Sequence, residues 1–244
     1  MRYGIIGTGA IGGYYGAKLA HAGQEVHFLF HSDYEYVTQH GLQVDSCNGS
    51  FHLPQVNAYQ STLDMPQCDV VLVCLKSVNN AKLQSLLPPL LHARTLVVLI
   101  QNGIGVEEDV QQQFPGVQLA AGLAFICSAK TQPGRVNHQC YGQINLGNYS
   151  CKDETLIQQV IADFNAAGVK NIDESFADKM IEMTDVMVPY SPSMKLDFEF
   201  HRSMEIHYLY TRPLQIAREA GFPMHKLEML EAELRFIEST YKGK

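Results

Sequence analysis

The chain begins with an apolar strand pattern, Tyr3 to Ile6, runs straight into Gly7-Thr-Gly-Ala-Ile-Gly-Gly13, and continues as a helical pattern from Ala10 to Ala22 that Gly23 closes. Glycine is needed three times at this spacing. Gly7 permits a tight turn, Gly9 lets a ligand come close to the backbone, and Gly12 lets the helix pack closely on the strand. Strand, glycine turn and helix in this order form a dinucleotide-binding fingerprint, in which the helix N-terminus offers free N–H groups and a positive dipole end to a pyrophosphate. Gly7, Thr8, Gly9, Ala10, Ile11 and Gly12 are therefore the expected cofactor contacts.

The pattern continues in alternation. Glu25 to Phe30 reads as a second strand, and His31-Ser32-Asp33 opens the turn where folds of this kind meet the adenosine ribose. Gly41 to Val44 and Ser50 to Leu53 read as short strands or a hairpin around Asn48-Gly49, a turn dipeptide. Cys68 to Lys76 is a continuous apolar run, as a strand covered on both faces requires; Arg94 to Ile100 repeats it and ends in Gln101-Asn-Gly-Ile-Gly105. Between them Val78 to Leu91 reads as an amphipathic helix interrupted at Pro88-Pro89, and further strands are expected at Leu119 to Ala124, Arg135 to Cys140 and Gln143 to Gly147. The alternation predicts an α/β fold with a doubly wound parallel sheet, whose ligand lies outside the carboxyl ends of the strands. Gly7, His31, Lys76 and Asn102 fall at those ends.

Asp153 to Ala167 reads as a helix closed by Gly168, after which the pattern becomes wholly helical. The expected domains are a dinucleotide-binding unit at 1–170 and a smaller all-α unit at 171–244, with helices at about Ser175 to Val188, Phe198 to Gly221 and Lys226 to Tyr241. A unit this short buries little of its own surface. Its apolar stripe, Met180, Met183, Met187, Leu209, Ile216 and Leu227, needs a partner surface, and a homodimer is preferred over docking on the first unit alone.

Composition narrows the partners. The net charge of −7 and the scattered Lys and Arg residues argue against nucleic acid. No apolar stretch reaches the ~20 residues that cross a bilayer, and the chain opens on a strand pattern instead of a signal peptide, so a cytoplasmic protein is expected. Six cysteines without a C-x-x-C pair read as reduced thiols, with Cys74 and Cys127 in buried strands. Ten histidines without an H-E-x-x-H pattern give no metal site.

Several separate stretches together resemble the ketopantoate reductases, or 2-dehydropantoate 2-reductases. They are Ile6 to Gly13, Leu75-Lys76-Ser77, Gln101 to Gly105, Pro133-Gly134-Arg135-Val136 with Gly142 and Leu146-Gly147, then Ser191-Pro-Ser-Met194 with Asp197 and Glu205-Ile206. The resemblance implies a Rossmann-type domain followed by a helical domain, and an NADPH-dependent oxidoreductase that reduces a 2-keto acid to the 2-hydroxy acid, as in pantothenate biosynthesis. It also implies that Lys76 offers a cation to the NADPH phosphates and that Asn102 faces both nicotinamide and keto acid. Ser193 and Asp197 become substrate-side residues, Ser193 as a hydrogen-bond donor and Asp197 as a supporting carboxylate. Glu205 orients the substrate and the proton-transfer group. Read singly, Lys76 is equally a solvated strand-end lysine, Ser193 a helix cap, and Asp197 and Glu205 exposed helix acids.

Two matters stay open in the sequence. His31 stands where the family commonly carries an arginine for the NADP 2′-phosphate, with Ser32 as a further donor; Asp33, in a register one turn off, favours NAD. NADP is the expectation. The family's second domain opens on a helix whose lysine is the general acid and whose asparagines follow at four-residue intervals. Here Asn171-Ile-Asp173 leads directly into Glu174 to Met180, which resembles a later part of the pattern. Lys179 is the nearby lysine, but its four-residue partners are Met183 and Met187, and Lys170 lies in the interdomain connection. Three readings follow: a working reductase, a family member that binds NADP(H) but is catalytically impaired by loss of the lysine, or a sequence that omits residues of a longer natural chain.

Overall fold

A computed structural model describes residues 1–173, 175 and 191–242. The elements are β1 (Arg2–Ile6), α1 (Ala10–His21), β2 (Glu25–Leu29), α2 (Tyr34–His40), β3 (Leu42–Ser46), β4 (Phe51–Leu53), β5 (Asn57–Tyr59), β6 (Val70–Val73), α3 (Leu83–Leu86), β7 (Leu96–Leu99), α4 (Val106–Gln113), β8 (Gln118–Gln132), β9 (Arg135–Asn148) and α5 (Glu154–Ala166). After the undescribed stretch come α6 (Ser193–Glu199), a π-helical turn at His207–Thr211, α7 (Arg212–Glu219) and α8 (His225–Lys242).

The nine strands of the described residues form one sheet in the order β4-β3-β9-β8-β7-β6-β1-β2-β5. From β5 to β8 every pairing is parallel, and the chain passes from β1 outward through β2 and β5 before returning to the other side of β1 at β6. The order therefore reverses between β1 and β6, which opens a crevice beyond Ile6 and Val73. Period-two alternation distributes the apolar residues to both faces. Leu72, Leu96 and Val98 join Tyr14, Tyr15 and Phe164 under α1 and α5, while Val71, Val73, Val97 and Leu99 join Leu83, Leu87, Val106 and Val110 on the other face. Helix α5 belongs to the first of these cores: Asp163 on α5 accepts a buried hydrogen bond from the Tyr3 hydroxyl at 2.6 Å.

Several expectations need correction. The sheet is mostly parallel but mixed, because β3–β4 and β8–β9 are antiparallel. The three late strands are two, joined by a turn at Pro133-Gly134; the apparent gap at Tyr141-Gly142 is a bulge within β9, where φ is 66° and 107°. Asn57–Tyr59 is a strand the pattern does not show. Val78 to Leu91 is no continuous helix, since 3-10 turns at Ser77–Lys82 and Pro88–Leu90 flank a single α turn. The helix expected at Phe198 to Gly221 is broken into the end of α6, a link without regular structure, the π turn and α7. Pro213, at the second residue of α7, has no N–H to give the preceding turn, and the wider π turn accommodates it. The expected helix at Ser175 to Val188, with Lys179, Met180, Met183 and Met187, falls almost wholly outside the described residues. Helix α8 agrees with its expected span.

Candidate active site

The three glycines of the first turn carry three different loads. Gly7 has φ of 93°, and a Cβ there would lie 2.5 Å from the Leu75 backbone nitrogen. At Gly12 a Cβ would lie 2.4 Å from the Gly7 carbonyl oxygen, so glycine alone allows α1 to close on the turn. A Cβ on Gly9 would meet nothing within 4 Å, because this position faces open space. Thr8 ties the turn to the neighbouring strand by donating its hydroxyl hydrogen to the Leu29 carbonyl at 2.8 Å. The first turn of α1 carries no acidic residue and no side-chain cap, which leaves its N–H groups available to an anion.

A cavity of about 790 Å³ lies over this turn, and Gly7, Thr8, Gly9, Ala10 and Ile11 form part of its wall. Beyond the end of β2 it is bounded by His31, Ser32 and Asp33, and beyond β6 and β7 by Lys76 and Asn102. One face of β8, Gly122, Ala124, Ile126, Ser128 and Lys130, lines the remaining wall. Ser193, on α6, and Glu205, in the link before the π turn, reach the same cavity. Of the cofactor-side positions named from the sequence, Gly12 alone does not line it, in keeping with its packing role.

Glu205 is not an exposed helix acid. It is 2% exposed, and its Oε1 accepts hydrogen bonds from the Ser77 backbone N–H (3.0 Å) and hydroxyl (2.9 Å) while Oε2 accepts from the Asn102 amide (3.3 Å). Asp197 is fully buried and forms ion pairs with Lys76 and with Arg202, the latter at 2.9 Å. Lys76 points its ammonium at Asp197 while also lining the cavity. Ser193 is the first residue of α6 and follows Pro192, so it does not cap the helix with its side chain. The backbone at Gly103, with φ of 108°, allows this assembly: a Cβ there would lie 2.4 Å from the Cβ of Tyr208, and the Ile104 N–H donates to the Tyr208 carbonyl at 3.0 Å.

Asp33 is held in a different way. Burial pushes its carboxyl up, but hydrogen bonds from Lys130, the Gly134 N–H and Ser32 outweigh that and hold it below the ordinary aspartate range. Cys74 lies just past β6 in the cavity wall, not within a strand, and burial pushes its thiol up to about 12. The six cysteines are free thiols. Among the described residues no cluster of three His, Cys, Asp or Glu side chains could hold a metal ion, and no helix is long and apolar enough to cross a membrane.

Sequence reasoning assigned no role to Ser77, Gln101 or Lys130. Ser77 and Gln101 adjoin Lys76 and Asn102, and their signals were adjacency to a strand end and membership of the Leu75–Ser77 and Gln101–Gly105 stretches that resemble the family. Gln101 donates to the Leu75 carbonyl (2.6 Å) and to Asn80 Oδ1 (2.7 Å), leaving its buried Oε1 without a protein partner in the cavity wall. Together with the open face of Gly9, that unused acceptor fits a bound dinucleotide.

A glycine cradle over a deep cleft at the strand-order reversal defines a Rossmann-type protein built around a dinucleotide site, here completed by a helical C-terminal part. The sequence profile of ketopantoate reductase PanE/ApbA matches residues 3–150, and that of the ketopantoate reductase PanE/ApbA C terminal matches residues 152–238. A 2-dehydropantoate 2-reductase of Nostoc sp. is 36% identical over 303 residues, covering 97% of this chain and 95% of the relative. The crystal structure of 2-dehydropantoate 2-reductase from Geobacter metallireducens superposes with a TM-score of 0.90 at 31% identity, covering 96% of this chain and 99% of that one. The one from Methylococcus capsulatus gives 0.85 at 27% identity, covering 99% and 98%. The chain belongs to the ketopantoate reductase family, a family of oxidoreductases.

Proposed function

We propose that this chain is a cytoplasmic NADPH-dependent reductase that converts 2-dehydropantoate, or a closely similar 2-keto acid, to the 2-hydroxy acid in pantothenate biosynthesis. The observation that carries this reading is the meeting of the Gly7–Ile11 cradle with Asn102, Ser193 and Glu205 in a single cavity. Residues 1–170 would hold the dinucleotide, with the pyrophosphate against Gly9 and the N-terminus of α1, and 171–244 would close over the substrate.

When bound, NADPH supplies the hydride. The chain's own residues position and polarise the keto acid. Asn102 and Glu205 are fixed to each other and to Ser77, so their polar atoms face the cleft in a set geometry before substrate arrives. Ser193, at the cavity wall, offers a hydroxyl to the substrate carboxylate. Asp197, Lys76 and Arg202 fix the wall beneath Ser193, which makes Asp197 a support for the site. The oxyanion left by carbonyl reduction needs a donor. Lys179 is the sequence's candidate for it and lies outside the described residues; Glu205 is the carboxylate that would orient it.

One observation favours the impaired reading as well. The alignment with the Nostoc relative runs over 303 positions, whereas this chain has 244 residues, so internal stretches of the relative have no counterpart here. If the lysine–asparagine helix is among them, the chain binds NADPH and turns over slowly. Removing a general acid lowers a rate by about 10²- to 10⁴-fold. Titration with NADPH and absorbance-monitored NADPH oxidation with 2-dehydropantoate separate the readings: turnover that Glu205→Ala abolishes supports the reductase, whereas binding without turnover supports the impaired member. Absence of NADPH binding would sink both.

A homodimer is part of this proposal. Phe198, Phe200, Phe222, Met229 and Phe236 are all exposed around α6 to α8, and α8 buries none of its residues. Such a surface suits a second copy of the chain. Light scattering at micromolar protein should give twice the chain mass; the single mass would overturn the dimer.

A further inference from the structure

We propose that Lys130 reads the 2′-phosphate of the dinucleotide's adenosine ribose and is the residue that selects NADP(H) over NAD(H). The inference deepens the cofactor reading above and rests on a dinucleotide occupying the cleft.

Folds of this class distinguish the two cofactors at the end of the second strand. A free carboxylate there takes the ribose diol and repels a 2′-phosphate. This chain places Asp33 in that turn, which by itself favours NAD. The structure removes the carboxylate from that task. Asp33 is 4% exposed; its Oδ1 accepts from Lys130 Nζ at 2.6 Å and from the Ser32 hydroxyl at 2.9 Å, and its Oδ2 accepts from the Gly134 N–H at 3.1 Å. A ribose diol needs both oxygens facing it, and these three donors already hold them.

The lysine arrives from a distant part of the sequence. Strand β8 is 15 residues long, and its alternate residues from Gly122 to Lys130 line the cavity from the Asn102 end to the Asp33 end. Lys130 is therefore placed by the β8–β9 arm, not by the second strand. An ammonium has three N–H donors, of which Asp33 takes one. The side chain is 33% exposed and lies in the cavity wall beside His31 and Ser32, so two donors and the charge remain available to a phosphate. In this arrangement Asp33 aims the lysine, and Lys130 supplies the cation that His31 provides only when protonated.

The test measures Kd for NADPH and NADH, and for 2′,5′-ADP and 5′-AMP as probes of the adenosine half. The variants are Lys130→Met and the double variant Lys130→Met with Asp33→Asn, which leaves no unpaired buried carboxylate. Loss of one charge-assisted phosphate contact should weaken NADPH and 2′,5′-ADP by about 10- to 100-fold in both variants, with NADH and 5′-AMP within about threefold. An equal loss for all four probes, or no loss, overturns the proposal. Recovery of NADPH affinity in the double variant also overturns it, because Lys130 would then act only as the counterion of Asp33. A wild-type preference for NADH would instead refute the NADP assignment itself, which the comparison of wild type with variant leaves separate.

Discussion

Glu205 accepts hydrogen bonds from both the backbone N–H and the hydroxyl of Ser77, at 3.0 and 2.9 Å, although the two residues stand 128 positions apart. The N–H belongs to the turn that follows Lys76 at the end of β6's extension, and the carboxylate to the link before the π turn. The contact therefore locks the helical part onto the mouth of the sheet and, in the same step, spends one oxygen of Glu205 on its own chain. The second oxygen accepts, among the described residues, from Asn102 at 3.3 Å.

Glu205→Gln keeps the shape and an acceptor for Ser77 but removes the charge. We expect kcat for 2-dehydropantoate to fall about 10²-fold, the usual worth of a positioned acid–base group, with the Kd for NADPH unchanged. Steady-state kinetics beside a cofactor titration check this. A parallel loss of cofactor affinity would show that Glu205 holds the fold of the cleft and not the substrate.

The glycine turn makes a paired prediction. Gly12→Ala places a Cβ against the Gly7 carbonyl and should destabilise the protein by about 2 to 3 kcal/mol, as overpacking does. Gly9→Ala meets no protein atom and should leave the urea midpoint in place. Its methyl occupies the space a pyrophosphate would use, so NADPH affinity should drop on the order of tenfold, the worth of one lost backbone–phosphate hydrogen bond. Equal stability losses in the two variants would contradict the division of labour between these glycines.

That division was legible in the sequence because strand, turn and helix follow one another within a few residues, and Gly12 meets the Gly7 carbonyl five positions back; the backbone that crowds Gly7, at Leu75, is brought there only by the fold. The continuous apolar runs that became β6 and β7 were legible for a similar reason, since two buried faces leave no polar position. The breaks in the reading have their own causes. Tyr141 and Gly142 interrupt the alternation of β9 through a bulge that side-chain periodicity registers as an end. Lys130, Ser77 and Asp197 take their meaning from partners 97 to 128 positions away in the fold, through contacts that no spacing rule encodes. Asp197 and Glu205, exposed acids by their helical context, are buried because the C-terminal helices press them onto cations and donors at the strand ends.

Lys76 and Asp197 allow a stability test. Lys76→Met leaves the fully buried Asp197 with Arg202 as its remaining ion-pair partner. Breaking a buried pair from one side costs about 3 to 5 kcal/mol, and the retained arginine puts the expectation at the lower end, about 3 kcal/mol. Adding Asp197→Asn to that variant should recover part of the loss. Urea denaturation of both variants checks it; no loss in the single variant would mean that Arg202 alone satisfies the carboxylate.

His138 gives the molecule an acid sensitivity with a defined sign. The ring is 1% exposed, lies 4.3 Å from the Tyr14 ring centroid, approaches the Tyr141 carbonyl through Nε2 at 3.1 Å and the Ser46 hydroxyl through Nδ1 at 2.8 Å. A carbonyl only accepts, so Nε2 carries the hydrogen and Nδ1 accepts from Ser46. Burial lowers the imidazole pKa below its usual 6.5; the backbone contacts at Tyr141 and Cys140 raise it in part, and Lys18 lowers it further. In the unfolded chain the same group protonates near its ordinary value. Stability contributed by neutral His138 is therefore complete above about pH 6.5 and declines as pH falls from there through the folded-state value, because the unfolded chain binds the proton first. His138→Gln removes that titration. The variant should be less stable than wild type near neutrality, where the ring's packing on Tyr14 is lost, and the difference should narrow as the pH is lowered. Urea midpoints measured across that range decide it: a difference that stays constant with pH would assign the acid sensitivity to other groups.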